Sequence, residues 1–514
     1  MQQQESIMKR FFYIWIFAML MALCGCGQIM PLEKPVSEAA VSGLDLLSET
    51  KVTDVSEMPV IYIYMEGEPG EEYAEADIAI GDEVAIAAVK LRGNSSKESA
   101  KKAYTVKFED EQELLGMESG KKWALVSNPF DKSLLRPAVG FALAEALGLE
   151  YVSQTRLSKV WVDDTYMGIY TAMEPVEAGD GRVEIDVTSG GAAGPSCDFL
   201  LERNLGRYED DKVYIDSSLG MRFEFNEPDE PDSMQQAECY GLLAAAEEAI
   251  CSGDHEKYEQ LIDVESFVNF YVFQEVIKDV DFGEYSTRYY FKDGVLYAGP
   301  PWDLDLTMGN VSAEKEEFKY AAYNNVEGAG DVVYQVLAGA GAYGADFEAA
   351  SGDGQNGGGD ESDPAAVFGG SVYGLWAATG DYYYWLCRDP WFMELVHQRW
   401  QAVRPVVENL AVDNELGENL IDRYLAAYEE ELSGNFYGAG EGAAYERGDS
   451  VSGGGNCKDN CWTVDEPAHM SEWQEPAATY AGNVEMLRQW LIQRAVYLDS
   501  QFGPFVYTPA LAVQ

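Results

Sequence analysis

Residues 276–310 read VIKDVDFGEYSTRYYFKDGVLYAGPPWDLDLTMGN, and this stretch decides how the rest of the chain is read. Its first residues close an apolar helical run. RYYF, KDG and VLYAG then read as strand, tight turn, strand. A hairpin of that kind brings the chain back on itself, so Asp281 comes close to Trp302-Asp303-Leu304-Asp305. Carboxylates converging at a loop suit a hard cation and, through it, phosphate oxygens. The same residues also suit a calcium-held structural site at Asp303 and Asp305, or plain surface acidity in a chain with 89 Asp plus Glu.

Composition narrows the classes. The chain has 514 residues, 47% of them apolar, with 32 tyrosines and 11 tryptophans, which is ample for a large core. Its formal net charge of −54 opposes general binding to nucleic acid, because phosphate repels such a surface. It equally opposes adhesion to an anionic membrane through basic patches.

At the amino terminus, Lys9-Arg10 precede the apolar run FFYIWIFAMLMAL, which ends in Leu23-Cys24-Gly25-Cys26. A basic start, a short apolar run and a small residue before cysteine make a bacterial export signal. Leu-x-Gly-Cys resembles a lipobox, so residues 1–26 are expected to be a lipoprotein signal peptide with Cys26 as the lipidated residue. This predicts a membrane lipid anchor on the extracellular face. Residues 27–57 are polar and read as a tether. Six further cysteines, Cys197, Cys239, Cys251, Cys387, Cys457 and Cys461, are then in a compartment that permits disulfides. Cys457 and Cys461 share a Gly-rich loop and are candidates for a local pair, whereas Cys239 and Cys251 lie in or beside a helical pattern.

Between residues 58 and 230 the pattern is mostly β with one central helix, over Lys132–Leu147, for which Asp131 is the expected cap. Strands are expected at Met58–Tyr64, Val84–Leu91, Ala103–Phe108, Trp123–Val126, Phe199–Glu202 and Arg222–Phe225. A hairpin is expected about Asp163-Asp164, and Glu66–Asp77 reads as acidic turn. Residues 231–503 read as helical, over Ser233–Ser252, His255–Leu261, Asp263–Lys278, Asp381–Leu410, Leu416–Ser433 and Ala481–Phe502. Two Gly-rich segments, at about 338–370 and 438–471, read as insertions, and 504–514 as a tail.

Elimination points to the chemistry. The three histidines, His255, His397 and His469, do not make a Ser-His-Asp pattern, and no Gly-x-Ser-x-Gly elbow is present. His-Glu-x-x-His and Gly-x-x-x-x-Gly-Lys are absent too, and Gly339–Gly344 spells G-x-G-x-x-G outside any strand–turn–helix context. What remains is metal-assisted chemistry run on Lys, Arg and Asp, chiefly phosphoryl transfer. In so acidic a chain the run Arg92, Lys97, Lys101, Lys102, Lys107 stands out, and Arg92-Gly93-Asn94-Ser95-Ser96 offers an anion cradle.

Several segments together resemble the spore-coat protein H (CotH) kinase family. They are RGNSS, KKAYTVKF, DKSLLRPAVGFALAEALG, MGIYTAMEPVE, DVESFVNFYVFQEVIKDVD, GPPWDLDLTMGN, DPWFMELVHQRWQAVRPVV and EMLRQWLIQRAVYLDSQFG. The resemblance runs from Met58 to Gly503 across both insertions, and the order and spacing of the segments carry it. It implies an α+β, atypical protein-kinase-like fold with a β-rich amino-terminal lobe, a helical carboxy-terminal lobe and ATP between them. It further implies Mg2+-dependent phosphoryl transfer to Ser or Thr of a surface or coat protein. By position, Asp281 matches the catalytic-loop aspartate, and Asp303 with Asp305 the metal-binding segment. Lys102 or Lys107 would meet the nucleotide phosphates, and Glu174 would support that lysine or line the nucleotide pocket. Many members carry an asparagine shortly after the catalytic aspartate, where this chain has Glu284-Tyr285-Ser286-Thr287. A hydroxyl holds magnesium less strongly than a carboxamide oxygen. The alternative is therefore an inactive pseudokinase acting in surface adhesion or coat assembly.

Overall fold

In the computed structural model, residues 57–67, 69–93, 99, 101–188, 197–206, 212–310, 372–437 and 479–503 are described. Cys26, the tether up to Ser56, residues Asn94 to Lys97, both Gly-rich insertions, Cys457, Cys461 and His469 lie outside them. Among the described residues no helix is long and apolar enough to cross a membrane.

Seven strands close into a barrel: β1 Val60–Met65, β2 Ala74–Ile80, β3 Glu83–Arg92, β4 Ala103–Gln112, β5 Gly120–Val126, β6 Thr155–Val162 and β7 Thr165–Met173. Their order is β1-β2-β3-β4-β5-β7-β6, and a parallel pairing of β6 with β1 closes the ring. Strand periodicity produces this wall. Ile61, Ile63, Ala76, Ile78, Ala87, Val89, Val106, Phe108, Trp123, Leu125 and Val160 all point inward and are buried. Each large aliphatic or aromatic side chain among them contributes about 1.5–3 kcal/mol on leaving water.

A second sheet has the order β12-β11-β8-β10-β9, from β8 Phe199–Arg203, β9 Tyr214–Asp216, β10 Arg222–Glu227, β11 Arg288–Lys292 and β12 Val295–Ala298. It draws strands from both sides of residue 231. The helices are α1 Arg136–Ala146, α2 Ser233–Ser252, α3 His255–Tyr258, α4 Val264–Ile277, α5 Tyr383–Leu386, α6 Pro390–Asn409, α7 Leu420–Tyr437 and α8 Tyr480–Phe502; α2 and α4 pack on the second sheet, α1 and α7 on the barrel. The architecture is mixed α+β. Helix α4 is buried from Phe267 to Ile277, and it packs against α6, α8, β12 and α1. Asp232 and Gln235 form a reciprocal capping box at the start of α2.

Three local readings change. Glu66–Asp77 is not all turn: β2 begins at Ala74, with Glu75 and Asp77 outward and Ala76 and Ile78 inward. Acids on the solvent face had hidden the strand. Helix α1 starts at Arg136 rather than Lys132. The Asp131 carboxylate instead accepts from Ser133 N, Ser133 Oγ, Arg136 N and Arg136 Nη1, organising the turn before the helix. The expected helix over Asp381–Leu410 is two helices, because Asp389 caps a new one and Pro390 opens it.

Candidate functional site

The site is built where α4 ends. Lys278 takes the left-handed conformation and stops the helix. Its Nζ donates to Tyr373 O at 3.0 Å, so it is a tie to the segment after the long insertion. The Asp279 carboxylate accepts from Asp281 N at 3.0 Å. Asp281 O in turn accepts from Glu284 N and Tyr285 N. Thr287 Oγ1 accepts from Gly283 N at 2.8 Å and donates to Tyr285 O. Two backbone bonds hook this loop onto β8: Arg203 N to Thr287 O, and Leu205 N to Glu284 O. Beneath it, buried Asp381 accepts from Arg203 Nε at 2.9 Å and from Tyr289 Oη at 3.0 Å.

The β11–β12 hairpin, turning through Asp293 and Gly294 with φ of 53° and 83°, returns the chain to the loop. Val280 N then donates to Leu306 O at 3.1 Å, and Met308 N to Ile277 O at 2.6 Å. These bonds lay the Asp281 segment beside the Asp303–Asp305 segment. Asp303 is left-handed (φ 59°, ψ 59°) and opens a 3-10 turn, Leu304–Leu306. That turn rests on α1 at Gly140, where a Cβ would stand 2.7 Å from Leu304 Cδ1. Arg136, held by Asp131, donates from Nε to Thr307 O at 3.1 Å. Asn310 Nδ2 donates to Asp305 O at 2.7 Å.

Asp281, Asp303 and Asp305 line a cleft of about 490 Å³ between the barrel and the second sheet. Its walls carry cations despite the acidity of the chain: Lys90 and Arg92 from β3, Arg288 from β11, and Lys212. Arg288 pairs with Glu202 at 2.8 Å and Lys212 with Glu224 at 3.1 Å. Asp303 meets the solvent that fills the cleft, yet protein surrounds it on a wider scale. Desolvation, and then Asp281, push its carboxyl up to about 6, against Arg92 and Arg288. Asp305 is raised well above the usual carboxylate range, first by burial and then by Asp303, Asp131, Asp281 and Asp279. Burial lowers Arg92 to about 10, with Asp303 opposing.

This is a site short of positive charge at its carboxylates. Among the described residues no group of three His, Cys, Asp or Glu stands close enough to hold an ion unaided. The donor set fits magnesium, which takes one or two carboxylates and completes its octahedron with water and substrate phosphate.

The sequence-derived candidates fall in different places. Asp281, Asp303, Asp305 and Arg92 share the cleft. Lys107 sits farther out on β4, exposed, with Nζ 6.0 Å from the Tyr73 ring centre, in a separate shallow hollow. Lys102 precedes β4, and its carbonyl accepts from Tyr170 Oη at 2.7 Å; it does not line the cleft. Glu174, at the end of β7, is buried in an ion pair with Arg182 at 2.9 Å and accepts from Gln154 N. It borders another hollow. Lys90, Arg288, Glu202 and Trp302 line the cleft and were not singled out from sequence. Lys90 had a visible signal: it alternates with Arg92 along β3, so both face the same side. Neither His255 nor His397 lies in the cleft; His255 stacks on Trp391 and His397 stands near Phe502. The described cysteines are all free thiols.

Comparison with protein families matches residues 89–498, most of the chain, to the CotH kinase protein. No curated protein matches the chain.

Proposed function

The chain belongs to the CotH kinase protein family, and from that premise we propose that it is an atypical kinase transferring phosphate from Mg-ATP to Ser or Thr of a surface or coat protein. The observation that carries this is the joining of Asp281, Asp303 and Asp305 with Lys90, Arg92 and Arg288 in one cleft. ATP with its magnesium supplies the transferable phosphoryl group. Asp303 and Asp305 would hold the cation. Lys90, Arg92 and Arg288 neutralise phosphate charge, which is most of what such catalysis requires. Asp281, on the hydrogen-bonded loop after α4, accepts the proton of the attacking hydroxyl. The barrel serves as the β-rich lobe, and the α4–α8 side as the helical one. The export signal supports a lipid anchor at Cys26 and action at the extracellular face of the membrane.

A purified domain should melt at higher temperature with Mg-ATP, and should transfer label from γ-phosphate to itself or to a surface protein. Asp281→Asn should abolish transfer and retain the nucleotide shift. Transfer that survives in this variant refutes the assignment of Asp281. An absence of any shift at millimolar Mg-ATP would instead favour the non-catalytic adhesion or coat-assembly reading, to which the missing asparagine after Asp281 lends support.

A further inference from the structure

Three segments distant in sequence meet at one aromatic ring. The Arg92 guanidinium, at the end of β3, lies over Trp302 at 5.1 Å from the ring centre. The Arg288 guanidinium, at the start of β11, lies over the same ring at 5.2 Å. Trp302 itself immediately precedes Asp303, and all of these residues line the cleft. Arg92 therefore comes from the barrel, Arg288 from the second sheet, and the ring from the loop that carries the metal-binding candidates.

Two guanidinium groups near one another repel, and the proximity of Arg288 disfavours the charged form of Arg92. The negative π face of an indole offsets that repulsion, each cation over it contributing about 0.5–1 kcal/mol where exposed and more where dry. Arg288 is also tied by Glu202 at 2.8 Å. The Arg92 side chain makes no hydrogen bond among the described residues, so its five N–H donors are held in place chiefly by the ring and by the field of Asp303. A half-buried arginine with its donors unspent, in a phosphate-sized cleft, is built to receive an anion. Trp302 is half-buried rather than part of the sealed core, so filling space is not a sufficient account of a tryptophan here.

We propose that Trp302 is a positioning residue for a phosphate-binding arginine pair: its ring holds both Arg92 and Arg288 at the cleft before the phosphates of the ligand arrive. This rests on the nucleotide reading above and names how that site is preorganised. Preorganisation lowers the cost of binding, because the two side chains need not be gathered when the anion enters.

The test is calorimetric titration of the full folded domain with inorganic tripolyphosphate, without divalent metal, so that the arginine pair is read with no bridging cation. The wild type should bind. Trp302→Phe, which keeps a π face, should stay within about threefold, and Trp302→Leu should weaken binding by about 5–30-fold. Arg92→Gln and Arg288→Gln should each weaken it at least as much. Equal binding by wild type and Trp302→Leu overturns the proposal and leaves the nucleotide reading standing. A wild type that does not bind tripolyphosphate overturns the proposal, and its thermal shift with Mg-ATP then decides the nucleotide reading separately. Should the leucine variant fail to fold, uniform 5-fluorotryptophan labelling weakens the ring face without changing its shape. Labelling must then lower the affinity of the wild type and not that of Trp302→Phe; the same loss in both overturns the proposal.

Discussion

Two buried carboxylates show opposite uses of charge. Glu275, on α4, is fully enclosed, and every part of its charge is matched: Arg494 Nη2 at 2.8 Å, Trp376 N at 2.7 Å and Ala378 N at 3.0 Å. Arg494 itself also donates to the carbonyls of Glu275, Val372 and Gly374. Asp305 is nearly as buried, at 6% exposure, yet its side chain makes no hydrogen bond among the described residues, and after burial the strongest influences on its carboxyl are four more aspartates. A matched buried charge locks α4, α8 and the 372–378 segment together. An unmatched one raises the free energy of the fold, as perturbed carboxylates at functional sites do.

The largest expected effect is on the unmatched side. Asp281→Asn should lower phosphate transfer by about 10²–10⁴-fold, the usual worth of a positioned general base. Its melting temperature should stay close to wild type. A stability loss comparable to the activity loss would mean that the cleft carboxylates are structural after all. Next is the matched side. Arg494→Met leaves Glu275 buried with an uncompensated charge and should cost about 3–5 kcal/mol in denaturant unfolding. Transfer per folded molecule should not change. If Arg494→Met unfolds like the wild type, the contrast between the two carboxylates collapses.

A smaller and opposite effect separates them further. Asp305→Asn removes one of several mutually repelling carboxylates, so the metal-free protein should melt higher, by roughly 2 °C. The same variant should lose the stabilisation that millimolar magnesium gives the wild type. Removal of magnesium with a chelator should therefore separate wild type from variant, and calorimetry with and without the metal reads both signs.

How much of this was legible in the sequence depends on the range of the interaction. The β11–β12 hairpin was legible because its turn residues Asp293 and Gly294 encode positive φ locally. The approach of Asp281 to Asp303 followed from that hairpin. Glu202 was not legible, since Arg288 meets it across the β11–β8 register from 86 positions away, which no local period records. Trp302 looked like an ordinary turn aromatic, and only the ends of β3 and β11 give it partners. The acidic face of β2 concealed a strand for a different reason: Ala74 and Ala76 are small, so the apolar half of the alternation was faint. Glu174 was assigned from the pattern of a segment, and its actual partner, Arg182, reaches it across the connection after β7.

The smallest effect decides which lysine serves the ligand, and it turns on strand register. Lys90 and Lys107 lie on adjacent strands; Lys90 stands opposite Thr105, and Lys107 opposite Ala88. They share the outer face of the barrel, but the cleft takes in Lys90 and Thr105 and stops short of Lys107. A cation in the cleft gains a charge-assisted hydrogen bond to phosphate, so Lys90→Ala should weaken Mg-ATP binding by about tenfold. An exposed lysine beyond it is screened by water and salt, and Lys107→Ala should change affinity by less than about twofold. Equilibrium binding of both variants at two salt concentrations makes the comparison. The reverse order would move the phosphates outward along β4 toward Tyr73, away from Asp303 and Asp305. The unmatched carboxylates would then be too far from the nucleotide to share its cation.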